Sequence, residues 1–172
     1  MTKQIETYIA EHLNGEMKHT ALALVDYLQA NNLVFYKDTC DCWKDKIYYW
    51  IKRNADCVCF IAIGDPDEPD NSWTVWSEDS SVYENADVCD AVRNVGWKYV
   101  GHCGNCGSCR GGKEKIIFSK QFSRVCGCTF RIDNAVQKDL PFLKTMVDLR
   151  IGELRKQEKE KDYENTIQST AE

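Results

Sequence analysis

The strongest constraint on this chain is a short run dense in thiols and glycines. It reads Gly101-His102-Cys103-Gly104-Asn105-Cys106-Gly107-Ser108-Cys109-Arg110-Gly111-Gly112, and it is answered by Cys126-Gly127-Cys128. Five thiols, one imidazole and so many glycines supply little apolar bulk, so packing alone does not explain the window. A tetrahedral zinc ion needs four soft or borderline ligands with Zn–S of about 2.3 Å, which sets neighbouring sulfurs about 3.8 Å apart. Cys-x-x-Cys in a tight turn meets that demand, and a glycine after the second cysteine lets the backbone curl toward the metal. Cys103-Gly104-Asn105-Cys106-Gly107 has this form, and Cys106-Gly107-Ser108-Cys109 is an overlapping second choice.

Sixteen residues separate Cys109 from Cys126 and nineteen separate Cys106 from it, within the spacing of roughly 15–20 between the halves of two-part zinc sites. Cys103, Cys106, Cys109, Cys126 and Cys128 are therefore the candidate metal ligands. Five thiols meet four places, so one is surplus or the site exchanges ligands, and the fourth ligand stays open among Cys103, Cys109 and Cys128. His102 reads as a surface histidine beside the site. The same spacing also suits an iron–sulfur cluster held by Cys103, Cys106, Cys109 and a distant cysteine. Free or redox-active thiols in a glycine-rich loop are the third reading.

Compartment decides how ten cysteines are read. The start, Met1-Thr2-Lys3-Gln4-Ile5-Glu6, carries charge where a signal peptide needs an apolar core, and no run reaches the length of a membrane helix. The expectation is a cytoplasmic protein without a membrane partner, where clustered cysteines bind metal or do redox chemistry rather than form a disulfide framework. At 172 residues the chain buries enough surface to fold without a metal, roughly 70% of what it exposes unfolded. Zinc is then needed only locally.

Charge is unevenly spread over a net −5. From Trp97 to Lys138 there are eight basic residues against Glu114 and Asp133, a balance of +6, and the remainder holds 14 basic against 25 acidic residues. Zinc with four thiolates is formally −2, so the lysines and arginines read first as neutralising the site. The basic hairpin is also the composition of a nucleic-acid contact.

Along the chain, Ile5, Tyr8, Ile9 and Leu13 recur at helical spacing up to Asn14-Gly15, and Met17, Ala21, Leu24, Val25 and Leu28 mark a second helix from Glu16 to Ala30. From Leu33 the period becomes two. Strands are expected at 33–36, 46–53, 57–63 and 72–77 as an antiparallel meander, with 57–63 central and covered on both faces. A helix is expected from Ser80 or Ser81 to Asn94, ended by Gly96 and carrying Cys89 in the core. Strands 115–119 and 122–132 then form a hairpin flanking the site. A last helix opens at Asn134 or Asp139, with Pro141 in its first turn and Leu143, Met146, Val147 and Leu154 inward. The reading is a single α+β domain over 1–162, a meander packed on a helical hairpin and later helices. A zinc-ribbon-like module at about 97–132 precedes the long last helix, and 163–172 form a charged, frayed tail.

Two further thiol pairs, Cys40/Cys42 and Cys57/Cys59, resemble a second site. In a regular strand residues i and i+2 stand about 6.6 Å apart, too far for one zinc without a bulge, so these read as small apolar side chains. No phosphate-loop, dinucleotide or serine-hydrolase pattern is present. His12 and His19 fall on outward helix faces, and Asp65 to Asp70 lacks the spacing of a calcium loop, so enzymatic activity is not indicated. Trp43, Tyr48, Tyr49, Trp50, Trp73, Trp76 and Trp97 are more aromatic than a core requires. Tyr48 and Trp50 share one strand face and Tyr49 the other, which allows a Trp/Tyr-lined cleft for a small ligand.

The run from His102 through Cys103, Cys106, Cys109 and Lys113, then Ile117-Phe118, Phe122, Val125-Cys126 and Phe130-Arg131, resembles an uncharacterised family of small proteins from anaerobic Firmicutes. That resemblance spans roughly Gly101 to Gly152, points to a bacterial source and implies no particular activity. The N-terminal helices and Trp/Tyr-rich meander are similar to small bacterial YdhG-like α+β domains, some of which are linked to iron handling. Residues and resemblance together point to a zinc-binding protein whose metal is mainly structural and which acts as a binding or regulatory module. The alternative is an iron–sulfur, redox or metal-handling protein that uses an exchangeable thiol.

Overall fold

The computed structural model describes residues 4–40, 45–104 and 111–170, with side chains described through Tyr163. Helical periodicity delivers the first two elements, α1 (Ile5–His12) and α2 (Gly15–Ala30), which bury Ile5, Ile9, Ala21, Leu24, Val25 and Leu28, with Leu13 buried between them. Asn32, at φ 57°, turns the chain out of α2, a left-handed conformation that asparagine tolerates.

The meander follows as β1 (Val34–Lys37), β2 (Ile47–Arg53), β3 (Asp56–Ile63) and β4 (Trp73–Ser77), each antiparallel to its neighbour. After a 3-10 turn at Ser81–Tyr83 come α3 (Asp90–Lys98), β5 (Val100–His102), β6 (Lys113–Ile117) and β7 (Lys120–Asp133). A second 3-10 turn at Gln137–Asp139 leads into α4 (Leu140–Thr170). One sheet holds all seven strands in the order β1-β2-β3-β4-β7-β5, with β6 also on β7. The cysteine-bearing strands are thus continuous with the meander, because Thr74, Val75 and Trp76 of β4 pair with Asp133, Ile132 and Arg131 of β7.

One face of the sheet, carrying Tyr49, Ile51, Ile61, Ile63, Trp73, Val75, Phe130 and Ile132, joins the helices in a single core with Leu24, Leu28, Leu143, Met146, Val147 and Ile151. Trp73 is buried and donates its indole N–H to the Ala135 carbonyl at 3.2 Å, which satisfies the one polar atom that burial of that ring would leave orphaned. β3 is central, but its faces are not covered alike. Cys59, Ile61 and Ile63 enter the core, whereas Phe60 is half-buried outside it.

The helix expected over 80–94 does not form as read. Ser80 caps only the short 3-10 turn, accepting from the Val82 N–H at 3.1 Å. Tyr83 then enters the core, and its carbonyl and that of Glu84 accept from Phe118 and Ser119 at 2.8 and 3.0 Å. Those bonds to the β6–β7 turn take backbone groups that a continuing helix would need. The helix starts instead at Asp90, and Cys89, expected in the core, is exposed at its N-terminal boundary.

Gly96, expected to end this helix, lies inside it. A Cβ there would stand 2.7 Å from the Phe118 ring and 2.8 Å from the Phe142 ring, so the missing side chain is what seats α3 on the aromatic cluster. The charged run after Leu154 does not break α4, which continues to Thr170. Glu158 accepts from Arg53 at 3.0 and 3.1 Å and from Asn54 at 2.8 Å, and the Arg53 hydrogen bond holds its carboxyl below the ordinary carboxylate range. Among the described residues no helix is long and apolar enough to cross a membrane.

Gly96→Ala overpacks a site with no free volume. Denaturant unfolding is expected to show a loss of about 1–3 kcal/mol, against the gain that Gly→Ala brings at an open helix position.

Candidate metal centre

β7 changes neighbours along its length. On one edge its residues 131–133 pair with β4 and residues 120–125 with β6, while β5 lies along the other edge. On the β5 side Val100 pairs with Phe130 and His102 with Val125, so the single residue Gly101 faces four residues, Cys126 to Thr129. Cys126-Gly127-Cys128 is therefore a bulge. This departure from regular strand geometry is what an i, i+2 thiol pair needs to approach one ion.

Glycines close the strands around the thiols. A Cβ on Gly101 would lie 3.3 Å from the Cys128 carbonyl oxygen and 3.6 Å from the Cys126 Cβ, so β5 runs against the bulge. The Cys103 N–H donates to the Arg124 carbonyl at 2.8 Å, and Arg124 sits at φ 56° beside a register shift against β6. A Cβ on Gly112 would fall 2.6 Å from the Cys103 Cβ and 2.7 Å from the Arg124 backbone. Cys103 and Gly112 therefore meet, and the connection between them starts and ends at one place. The expected ligands Cys106 and Cys109 lie in that connection, outside the described residues.

Of the other expected ligands, Cys103 is buried and Cys126 and Cys128 are half-buried. Burial first, and then the Cys126 thiol and the carboxylates of Glu78 and Asp79, push the Cys128 thiol up to about 12, with Lys115 acting against them. As a free thiol Cys128 holds its proton at neutral pH and is a poor nucleophile; a metal would have to displace that proton. His102 is exposed, as expected. Among the described residues no group of three or more His, Cys, Asp or Glu is placed to hold a metal ion.

Sequence reasoning missed Lys115. Its Nζ lies 2.6 Å from Asp79 Oδ1, 3.1 Å from Thr129 Oγ1 and 3.5 Å from the Gly127 carbonyl oxygen. The legible signal was its parity with buried Ile117 on β6, which puts a lysine on the inward side of a strand where it must find partners. With Asp79, Ser80, Glu84, Lys113 and Thr129 it borders a pocket of about 230 Å³, whose walls carry both signs of charge.

The remaining thiols separate cleanly. β3 has its own bulge, since Ile51 pairs with Cys59 and Lys52 with Cys57, leaving Val58 between them. Cys59 is fully buried and its thiol is raised by burial to about 12. Cys57 falls opposite Lys52 and is half-buried, its thiol also raised, chiefly by burial. The expected apolar role suits Cys59 but not Cys40, which is exposed. Cys42 lies outside the described residues.

Aromatic residues form a row across the sheet. Tyr36, Trp50, Phe60, Trp76 and Arg131 pair in register across β1, β2, β3, β4 and β7. Tyr48 stacks on Trp76 with centroids 5.4 Å apart, Trp50 meets Phe60 edge-on at 4.6 Å, and Arg131 lies 5.4 Å from the Trp76 ring centre. Arg131 is held by Glu68 and Asp133. Trp50 donates to Asp38 at 2.8 Å, and Lys52 sits 5.2 Å from the Tyr36 ring centre and 5.5 Å from that of Trp50. Tyr36 is 52% exposed, and Tyr48, Trp50, Phe60 and Trp76 are half-buried. Trp43 lies outside the described residues.

Comparison with protein-family models, with curated proteins and with solved structures gives no match.

Two outcomes follow from this geometry. Gly112→Ala is expected to cost about 1–3 kcal/mol in denaturant unfolding by pushing β6 off Cys103. Gly104→Ala, where an added Cβ meets nothing within 4 Å, stays within about 0.5 kcal/mol. In the native protein, alkylation followed by mass mapping is expected to modify Cys89 early and Cys59 last. Early loss of Cys59 would contradict its burial.

Proposed function

We propose that the chain is a zinc-binding protein in which one structural ion pins the β6–β7 hairpin, ribbon-like, to the glycine-rich connection, and that the pinned surface serves as a binding or regulatory module. The observation that carries this reading is convergence. Cys103, the residue after β5, bonds to Arg124 of β7, two residues before the Cys126–Cys128 bulge. The connection bearing Cys106 and Cys109 leaves from Cys103 and returns at Gly112, against that same residue.

Thiolates favour zinc or iron–sulfur over hard cations, and four of them complete zinc's tetrahedron with no place for a water. Structural zinc has that closed form, whereas hydrolytic zinc keeps a position open. The formal −2 of such a centre suits the basic segment in which it lies. Thiols kept for metal binding also need a reducing compartment such as the cytoplasm.

Metal analysis and an absorption spectrum of anaerobically purified protein test the proposal. One zinc per chain without a visible band is expected. A broad visible absorption with stoichiometric iron would favour the cluster reading, and absence of tightly held metal would remove both. Cys126→Ser should lose stoichiometric zinc and expose the segment to proteolysis, while Cys89→Ser keeps both zinc and stability.

A further inference from the structure

We propose that Lys115 is a positioning residue for the metal centre, the cation that holds the Cys126-Gly127-Cys128 bulge in shape and offsets the charge of the loaded site. The inference rests on the zinc reading above and adds to it a residue that ligates nothing. It begins from a gap in the hydrogen-bond ladder. β4 leaves the edge of β7 at Arg131 and β6 joins that edge at Val125, so the backbone of 126–130 faces no strand there among the described residues. Backbone groups in such a gap need partners from elsewhere.

Two side chains supply them. Ser77 Oγ accepts from the Phe130 N–H at 3.0 Å. Lys115 Nζ reaches Thr129 Oγ1 at 3.1 Å and lies 3.5 Å from the Gly127 carbonyl oxygen, the central residue of the Cys-Gly-Cys bulge. Lys115 is itself fixed by Asp79 at 2.6 Å, and its side chain is only 15% exposed. A lysine this buried with one half-exposed carboxylate is held for a local purpose more than for a surface ion pair, which contributes little. Four thiolates around zinc leave two negative charges, and a cation in low dielectric within hydrogen-bond reach of the ligand-bearing backbone stabilises that charge far more than an exposed lysine does.

The test compares wild type with Lys115→Met, Lys115→Arg and Asp79→Asn in the full chain, loaded with zinc or with cobalt as a spectroscopic substitute. Transfer of zinc to a competing chelator and the ligand-field bands of the cobalt form are measured. Lys115→Met is expected to release zinc about 10–100-fold faster and to shift the cobalt bands. Lys115→Arg, which keeps the charge, recovers most of the difference, and Asp79→Asn, which loosens the lysine, falls between. Wild-type release and an unchanged cobalt spectrum in Lys115→Met overturn the proposal while leaving the zinc reading intact. If wild type takes up neither metal, the zinc reading itself falls and the role of Lys115 with it. Should Lys115→Met fail to fold, Asp79→Asn decides, and release at the wild-type rate in that variant overturns the proposal.

Discussion

Everything about the candidate centre depends on β7 holding three neighbours at once. A strand of fourteen residues is long enough to pair with β4 at one end, β6 at the other and β5 along its opposite edge. No single register serves all three, and the mismatch gathers in the middle, at Cys126 to Thr129. A bulge normally weakens a ladder by leaving backbone groups without partners. Here it also turns a pair of thiols out of regular alternation. The burial of Phe130 and Ile132 on one side, and of Ile117 and Val125 on the other, keeps the strand from relaxing by sliding, since a one-residue slip would exchange its faces.

The fold was legible wherever local periodicity and burial agreed. α1, α2 and the four meander strands lie within a residue or two of their expected limits because their apolar positions repeat at one period and the matching face meets the core. The stretch from Ser80 to Asn94 misled because two competing bonds are invisible in sequence. Tyr83 and Glu84 give their carbonyls to a turn more than thirty residues away, and a capping serine starts a turn whether or not a helix follows. Gly96 misled in the opposite direction. A glycine after an amphipathic run signals an end only when nothing needs its missing side chain, and here two phenylalanine rings occupy that space.

Of the candidate centre, the sequence made the thiols legible but not what surrounds them. Thiol spacing named Cys103, Cys126 and Cys128, since ligand chemistry is written in residue type and separation. The bulge, the Cys103–Gly112 contact and the lysine behind the loop depend on tertiary register, which spacing does not encode. Cys57 and Cys59 show the same limit from the other side. Strand geometry gave reason to set the pair aside, yet β3 does carry a bulge, and what separates the two thiols is that it commits Cys59 to the core while Cys57 stands opposite Lys52. A bulge does not by itself make a Cys-x-Cys pair a ligand pair. It must also leave both sulfurs on the side where further ligands arrive.

The two bulge thiols are not equivalent, and the difference bears on the surplus of five over four. Cys126 stands across from Gly101 of β5, with Arg124 bonded to Cys103 two residues before it. Cys128 lies on the far side of Gly127, among Glu78, Asp79 and Lys115, where burial and acidic neighbours oppose its ionisation. Within the zinc reading, Cys126 is the thiol set against β5, and Cys128 is the one that stands nearer the acidic residues and the lysine. In the role proposed for it, Lys115 acts at that bulge through the Gly127 carbonyl and the Thr129 hydroxyl. On that proposal, the support of the bulge rests on one lysine and the carboxylate that holds it, and not on the number of cysteines alone.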